Sequence, residues 1–145
     1  MLRILGLAAL MMVGACATGS DARMYQEQSR AVAVAQDALL VAVQDNAAAQ
    51  GWKVVQLDEK RGRVEALAPE DNSEGWVTRE RWVFQVTPRE LRVRLVLEAR
   101  LDDGTWWSEG EVCEGYTYLR EQQQLENVVG LASRRNLLAQ ARTVP

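Results

Sequence analysis

Two runs in the middle of the chain alternate with a period of two, and together they constrain the fold more than any other feature. In Glu80-Arg81-Trp82-Val83-Phe84-Gln85-Val86, Trp82, Phe84 and Val86 point one way while Arg81 and Gln85 point the other. After Thr87-Pro88-Arg89-Glu90, the run LRVRLVLEARL places Leu91, Val93, Leu95, Leu97, Ala99 and Leu101 on a single face. Successive side chains of a strand take opposite sides, so this spacing predicts two half-buried strands joined as a hairpin. Pairing Val86 with Leu91 sets Phe84 opposite Val93, Trp82 opposite Leu95 and Arg79 opposite Glu98. One register thereby satisfies both faces, and a slip of one residue would turn every apolar side chain outward.

The flanking segments supply cover for the apolar face. Over residues 30–50, Val32, Ala35, Leu39, Ala42, Val43 and Asn46 recur at steps of three or four, which predicts a helix; Gly51 falls where a left-handed C-cap belongs. Trp52 follows at the position whose side chain folds back on the last turn of a Schellman ending. The stretch WKVVQLDEKRGRVEALA then reads as a first hairpin turning at Gly62, with Val55, Leu57, Val64 and Ala66 on the buried side. Residues 69–75, PEDNSEG, form a loop by composition. Asp102-Asp103-Gly104 is a turn, and Thr105-Trp106-Trp107-Ser108 begins a short fifth strand. A second helix is expected from near Thr117 on Leu125, Val128, Val129 and Ala132, with a break expected at Gly130 and a separate terminal turn at Leu137 and Leu138. The expected fold class is α+β: an antiparallel sheet of four to five strands, one face covered by an N-terminal and a C-terminal helix.

Composition narrows the chemistry. The 145 residues, 48% apolar and 26% charged, suit one globular domain, and 17 basic against 20 acidic residues leave no global positive field for nucleic acid. The absence of histidine excludes Ser-His-Asp and Cys-His catalysis and most catalytic zinc sites. No cofactor or metal is expected, and Asp102-Asp103-Gly104 matches no full EF-hand pattern.

The first residues, MLRILGLAALMMVGAC, carry Arg3, an apolar run and small residues before Cys16. That order reads as a secretory signal, and its 14 weakly polar residues from Ile4 to Ala17 fall short of the roughly 20 needed to span a bilayer as a helix. Val13-Gly14-Ala15-Cys16 resembles the bacterial lipobox, at which signal peptidase II cuts before a cysteine carrying a diacylglyceryl group. The resemblance implies a signal peptide over residues 1–15, lipidation of Cys16, a lipidated tether over 16–29 and a single domain over 30–145. It also implies membrane attachment through acyl chains, and Ala17 after the cysteine matches the sorting pattern for the outer membrane, facing the periplasm. Loss of residues 1–15 removes Arg3 and leaves 16 basic against 20 acidic residues, so a basic patch cannot be what holds the mature chain. With Cys16 acylated, Cys113 has no intramolecular partner. Acidic neighbours oppose its ionisation, so it reads as an inert, partly buried thiol, with an intermolecular disulfide as the functional alternative.

The interaction surface expected from sequence is the polar side of the second hairpin, with Arg79, Arg81, Arg92, Arg94 and Arg100 at alternate positions and Val83 and Val96 among them. Guanidinium groups bind carboxylate and phosphate in a forked geometry, although Glu98 stands ready to neutralise Arg79. Trp106 and Trp107 add indoles that must face opposite ways, and Trp76 falls in the loop. These features suggest a non-enzymatic envelope lipoprotein acting as an interaction or assembly module with a possible envelope protein partner. By fold-level analogy the helix-and-sheet pattern resembles small lipoprotein domains of outer-membrane assembly accessory factors. The alternative is a periplasm-facing ligand-binding or hydrolytic domain built on Glu109, Glu111 and Glu114 with Trp106 or Trp107, which requires a concave pocket and a desolvated carboxylate there.

Overall fold

In the computed structural model the described residues are 28–73, 75–108 and 115–142, the side chains of 115–118 excepted. In chain order the elements are β1 (Gln28–Ala31), α1 (Gln36–Ala49), β2 (Lys53–Asp58), β3 (Arg63–Leu67), β4 (Thr78–Val86), β5 (Glu90–Arg100), β6 (Trp106–Ser108) and α2 (Gly115–Arg142). The strands form one antiparallel sheet in the order β1-β5-β4-β3-β2, with β6 also on β5. Both helices pack on one face of it, α1 against β2, β3 and β4 and α2 against β5 and β1. The fold is therefore α+β with a one-sided cover.

The β4–β5 register is the one the alternation demands: Val86 opposite Leu91, Phe84 opposite Val93, Trp82 opposite Leu95 and Arg79 opposite Glu98. Trp82, Phe84, Val86, Leu91 and Val93 meet Val64 from β3, Leu39 and Val43 from α1, and Leu125 and Val128 from α2 in one core. At its margin the partly buried Trp52 stacks on the Trp82 ring, centroids 4.9 Å apart and planes 11° apart. The Arg120 guanidinium lies 5.5 Å from the Trp82 ring centre and grips Glu80 by two bonds of 2.5 and 2.7 Å.

Trp52 reaches that position because α1 ends in a Schellman motif. Gly51 has φ +73°, its N–H donates to the Ala48 carbonyl (3.0 Å), and the Trp52 N–H donates to Ala47 (2.8 Å). Gly62 turns the β2–β3 hairpin at φ +66°, and a Cβ there would run into the Val86 carbonyl oxygen. The Gly62 carbonyl accepts a 2.7 Å bond from the Val86 N–H, tying the two hairpins together.

Four expectations need correction. Residues 28–31 are extended, so the first helix starts at Gln36 and not at 30; Gln28 and Ser29 belong to the sheet, paired with Val93 and Arg92. The lower edge of β5 takes this partner because its backbone groups would otherwise lack one. In β2 a bulge between Val54 and Gln56 turns Val54 toward the core; Val55 is 46% exposed, and Leu57, opposite Val64 but on the edge strand, is 41% exposed. Leu101 lies past the end of β5 and is exposed. The second helix does not break at Gly130, nor is there a separate terminal turn: α2 runs through to Arg142, since one glycine costs only about 1 kcal/mol against alanine and the packed turns before it outweigh that.

Candidate functional site

The face of the sheet away from the helices is built by the second parity of the same strands. Arg79, Arg81 and Val83 of β4 share it with Arg92, Arg94, Val96, Glu98 and Arg100 of β5, with Arg63 and Glu65 of β3, and with Trp106 of β6. Arg79, Arg81, Arg92, Arg94, Arg100 and Trp106 are thus brought together. Trp107 is not; it stands opposite Ala99 on the helix side, exposed, as the two-way alternation of adjacent residues requires.

The basic residues are not a bare stripe. Arg79 Nε donates to Glu98 Oε2 at 2.6 Å, and Arg81 Nη2 lies 2.6 Å from Glu98 Oε1. Arg81 Nη1 reaches Glu65 Oε2 at 3.4 Å, and Arg63 holds Glu65 Oε1 through Nε (2.9 Å) and Nη2 (2.7 Å). The result is a ladder, Arg63–Glu65–Arg81–Glu98–Arg79, running across three strands. At its end the Arg79 guanidinium carbon stacks 3.8 Å above the centre of the Trp106 ring, with Arg100 at 5.9 Å. Glu65 and Glu98 are each only 7% exposed although no element covers this face among the described residues. The arginine stems and Val83 do the covering.

Around the rigid centre lies a looser rim. Arg92 bonds Glu90, 2.8 Å, with both partly exposed, and Arg100 sits 3.5 Å from Glu70 of the preceding loop. Arg94 is exposed. The Ser29 hydroxyl, and after it Arg92, hold the Glu90 carboxyl below its ordinary value, so it stays ionised. The Ser73 N–H and hydroxyl do the same for Asp71, and Thr105 for Asp103, both at exposed turns. The face therefore offers fixed arginines and a stacked indole.

Sequence reasoning missed Arg63 and Glu65. Their signal was present: the period of Arg63-Val64-Glu65 puts both opposite in sense to Val64, and pairing β3 on β4 places Glu65 across from Val83 beside Arg81. It also missed Glu121, a buried α2 carboxylate that accepts the Leu95 N–H at 2.8 Å. β1 pairs β5 at Glu90–Val93 and β6 pairs it at Glu98–Arg100, so Leu95 lies on the uncovered length between them. Glu121 fills that gap.

Among the described residues, cavities open away from this face. One of about 510 Å³ lies between α1 and the β2–β3 turn and is lined by Gln36, Asp37, Leu40, Val41, Gln44, Glu59 and Lys60; one of about 330 Å³ is lined by Asp71, Ser73, Trp76, Thr78 and Ala99. Trp76 is exposed and not packed beneath the loop. Among the described residues no cluster of three or more carboxylates and thiols is arranged to hold a metal. Cys16, Cys113 and the acidic residues Glu109, Glu111 and Glu114 lie outside the described residues.

No protein-family model and no curated protein matches the chain. Among solved structures it is similar to a DUF4468 family protein from Bacteroides ovatus ATCC 8483, at 12% identity and a TM-score of 0.39, over 81% of this chain and 86% of that one.

Proposed function

We propose that the protein is a bacterial envelope lipoprotein, held to the membrane by acyl chains on Cys16 and probing the periplasm with its open sheet face as a non-enzymatic interaction or assembly module. The anchor reading rests on the ordered leader, Arg3, apolar run, Gly14-Ala15 and Cys16. The observation that supports the interaction role is the state of the arginines: Glu65 and Glu98 fix the central guanidinium groups from within the sheet, while Arg92, Arg94 and Arg100 stand at the exposed rim. A surface already ordered loses little side-chain entropy on docking, so a carboxylate-bearing partner meets donors held in place. Ala17 after the acylated residue favours the outer membrane, and neither cofactor nor nucleic acid has a role.

Two measurements test this. Intact mass of the protein extracted from its bacterial source should show residues 1–15 removed and Cys16 acylated, with the protein in the detergent phase on Triton partitioning; an unacylated chain in the aqueous phase rejects the anchor. Replacing Arg92 and Arg94 by Glu should reduce capture of the envelope partner in pull-down while leaving the fold intact, and unaltered capture rejects the face.

A further inference from the structure

The C-terminal end of α2 has a composition unlike the rest of the chain. No acidic residue follows Glu126, whereas Arg134, Arg135 and Arg142 lie in the last stretch of helix. Ala132 is the last buried residue, and every residue from 134 to 142 is exposed, Leu137 by 65% and Leu138 by 62%. The helix thus continues about 15 Å beyond its last core contact. At 3.6 residues per turn, Arg134, Leu137, Leu138 and Ala141 fall in one sector, turned away from the sector through which Leu125, Val128 and Ala132 enter the core. The base of the projection is tied down: Arg135 pairs with Asp45 of α1, whereas Arg134 bonds the Gly130 carbonyl of its own helix at 3.3 Å, and among the described residues neither it nor Arg142 has a carboxylate partner. Two exposed leucines flanked by arginines without an acid between them describe a surface for an apolar, negatively charged boundary.

We infer that this end of α2 lies on an anionic bilayer, with Leu137 and Leu138 at the acyl boundary and Arg134 and Arg142 on lipid phosphates. For its setting the inference rests on the anchor proposed above, and the chain geometry permits both contacts at once. Gln28 bonds Gln122 of α2 at 3.0 Å, so the first residue of the sheet sits beside the helix. Cys16 is 12 residues upstream of it, a reach of about 40 Å when extended. Leu137 lies 15 residues along α2 from Gln122, about 22 Å. An acylated Cys16 therefore holds the helix end within reach of the same membrane, where a weak surface contact becomes an intramolecular one.

The test uses the full protein purified from bacterial membranes and returned to vesicles of phosphatidylcholine alone or of equal parts phosphatidylcholine and phosphatidylglycerol. Each arginine near an anionic surface strengthens binding about fivefold, so amide exchange over residues 134–142 should slow about tenfold or more in the mixed vesicles and recover at high salt. Replacing Arg134 and Leu137 by Glu should abolish the slowing without changing the thermal transition; if that variant unfolds, the lipid and salt dependence of the wild-type protein decides alone. Equal exchange in both vesicles overturns the inference. So does protection that appears in detergent and grows with protein concentration, which assigns the face to a second copy. Should the protein prove unacylated, the anchor fails separately, and the same chain titrated with the two vesicle types to high lipid concentration still decides: slowed exchange over residues 134–142 with the mixed vesicles alone upholds the contact, and slowing with both or neither overturns it.

Discussion

The sheet has two faces that are about equally dry at their centres and reach that state by opposite means. On the helix side, Trp82, Phe84 and Val93 are sealed by side chains from α1 and α2. On the other side no element covers Glu98 among the described residues, yet it is as buried as Leu95 in the core, 7% against 8% exposed. There the sealing is done by Arg79 and Arg81 reaching from β4 to the neighbouring strands and neutralising the carboxylates of Glu98 and Glu65. The covered face depends on volume and the open face on charge, and the open face grades from a locked centre to an exposed rim. A binding surface needs both parts, because the centre sets shape and the rim is what a partner can still compete for.

The largest way to break the comparison is to remove volume from the covered face. Phe84→Ala should destabilise the protein by about 3–5 kcal/mol in urea unfolding, as truncation of a fully buried aromatic does. Charge removal at the centre of the open face comes next. Glu98→Ala leaves two guanidinium groups facing each other and should cost about 2 kcal/mol, less than a fully buried pair because Arg81 is partly exposed. Glu90→Ala at the rim should cost no more than about 0.5 kcal/mol. Equal effects at the two glutamates would erase the distinction between centre and rim.

What was legible in the sequence follows the same division. The β4–β5 register and the burial of Trp82, Phe84, Leu91 and Val93 were readable because period two and a single apolar face leave one solution. The Gly51 and Trp52 ending was readable because it is local. β1 was not: Gln28-Ser29-Arg30-Ala31 has no alternation, and its extended form comes from the edge of a strand some sixty residues away. Nor was the bulge at Val55, whose neighbours Val54 and Leu57 are equally apolar. The arginines of the candidate face were visible one strand at a time, but the ladder was not, because Glu65 joins it only once β3 lies on β4. Glu121 was the least readable, since its partner is a backbone N–H in another element.

An effect of opposite sign concerns the cover. Gly130 lies inside α2 with only the Arg134 side chain within 4 Å of a built Cβ, at 3.9 Å. Nothing there needs glycine, so Gly130→Ala should stabilise the protein by about 0.5–1 kcal/mol, read from the urea midpoint. The charge-reversed rim variant used for pull-down, with Arg92 and Arg94 changed to Glu, should by contrast stay within about 0.5 kcal/mol of wild type, provided the rim is as separable from the fold as its exposure indicates.

The smallest effect tests how the rim is fastened to the edge strand. Glu90 is ionised below its ordinary value of 4.5, first through the Ser29 hydroxyl of β1 and then through Arg92. A carboxyl whose folded value is depressed adds stability that is present above 4.5 and is lost as pH falls through the lower folded value. Wild type and Glu90→Gln should therefore differ most near neutrality and converge below that window, when urea midpoints are followed from neutral pH into acid. Ser29→Ala removes the leading cause, so it should shrink the acid step more than Arg92→Ala does. The reverse ranking would mean that Arg92 alone holds the carboxylate, that β1 contributes only backbone bonds to β5, and that this border of the open face is set by its own strand and not by β1.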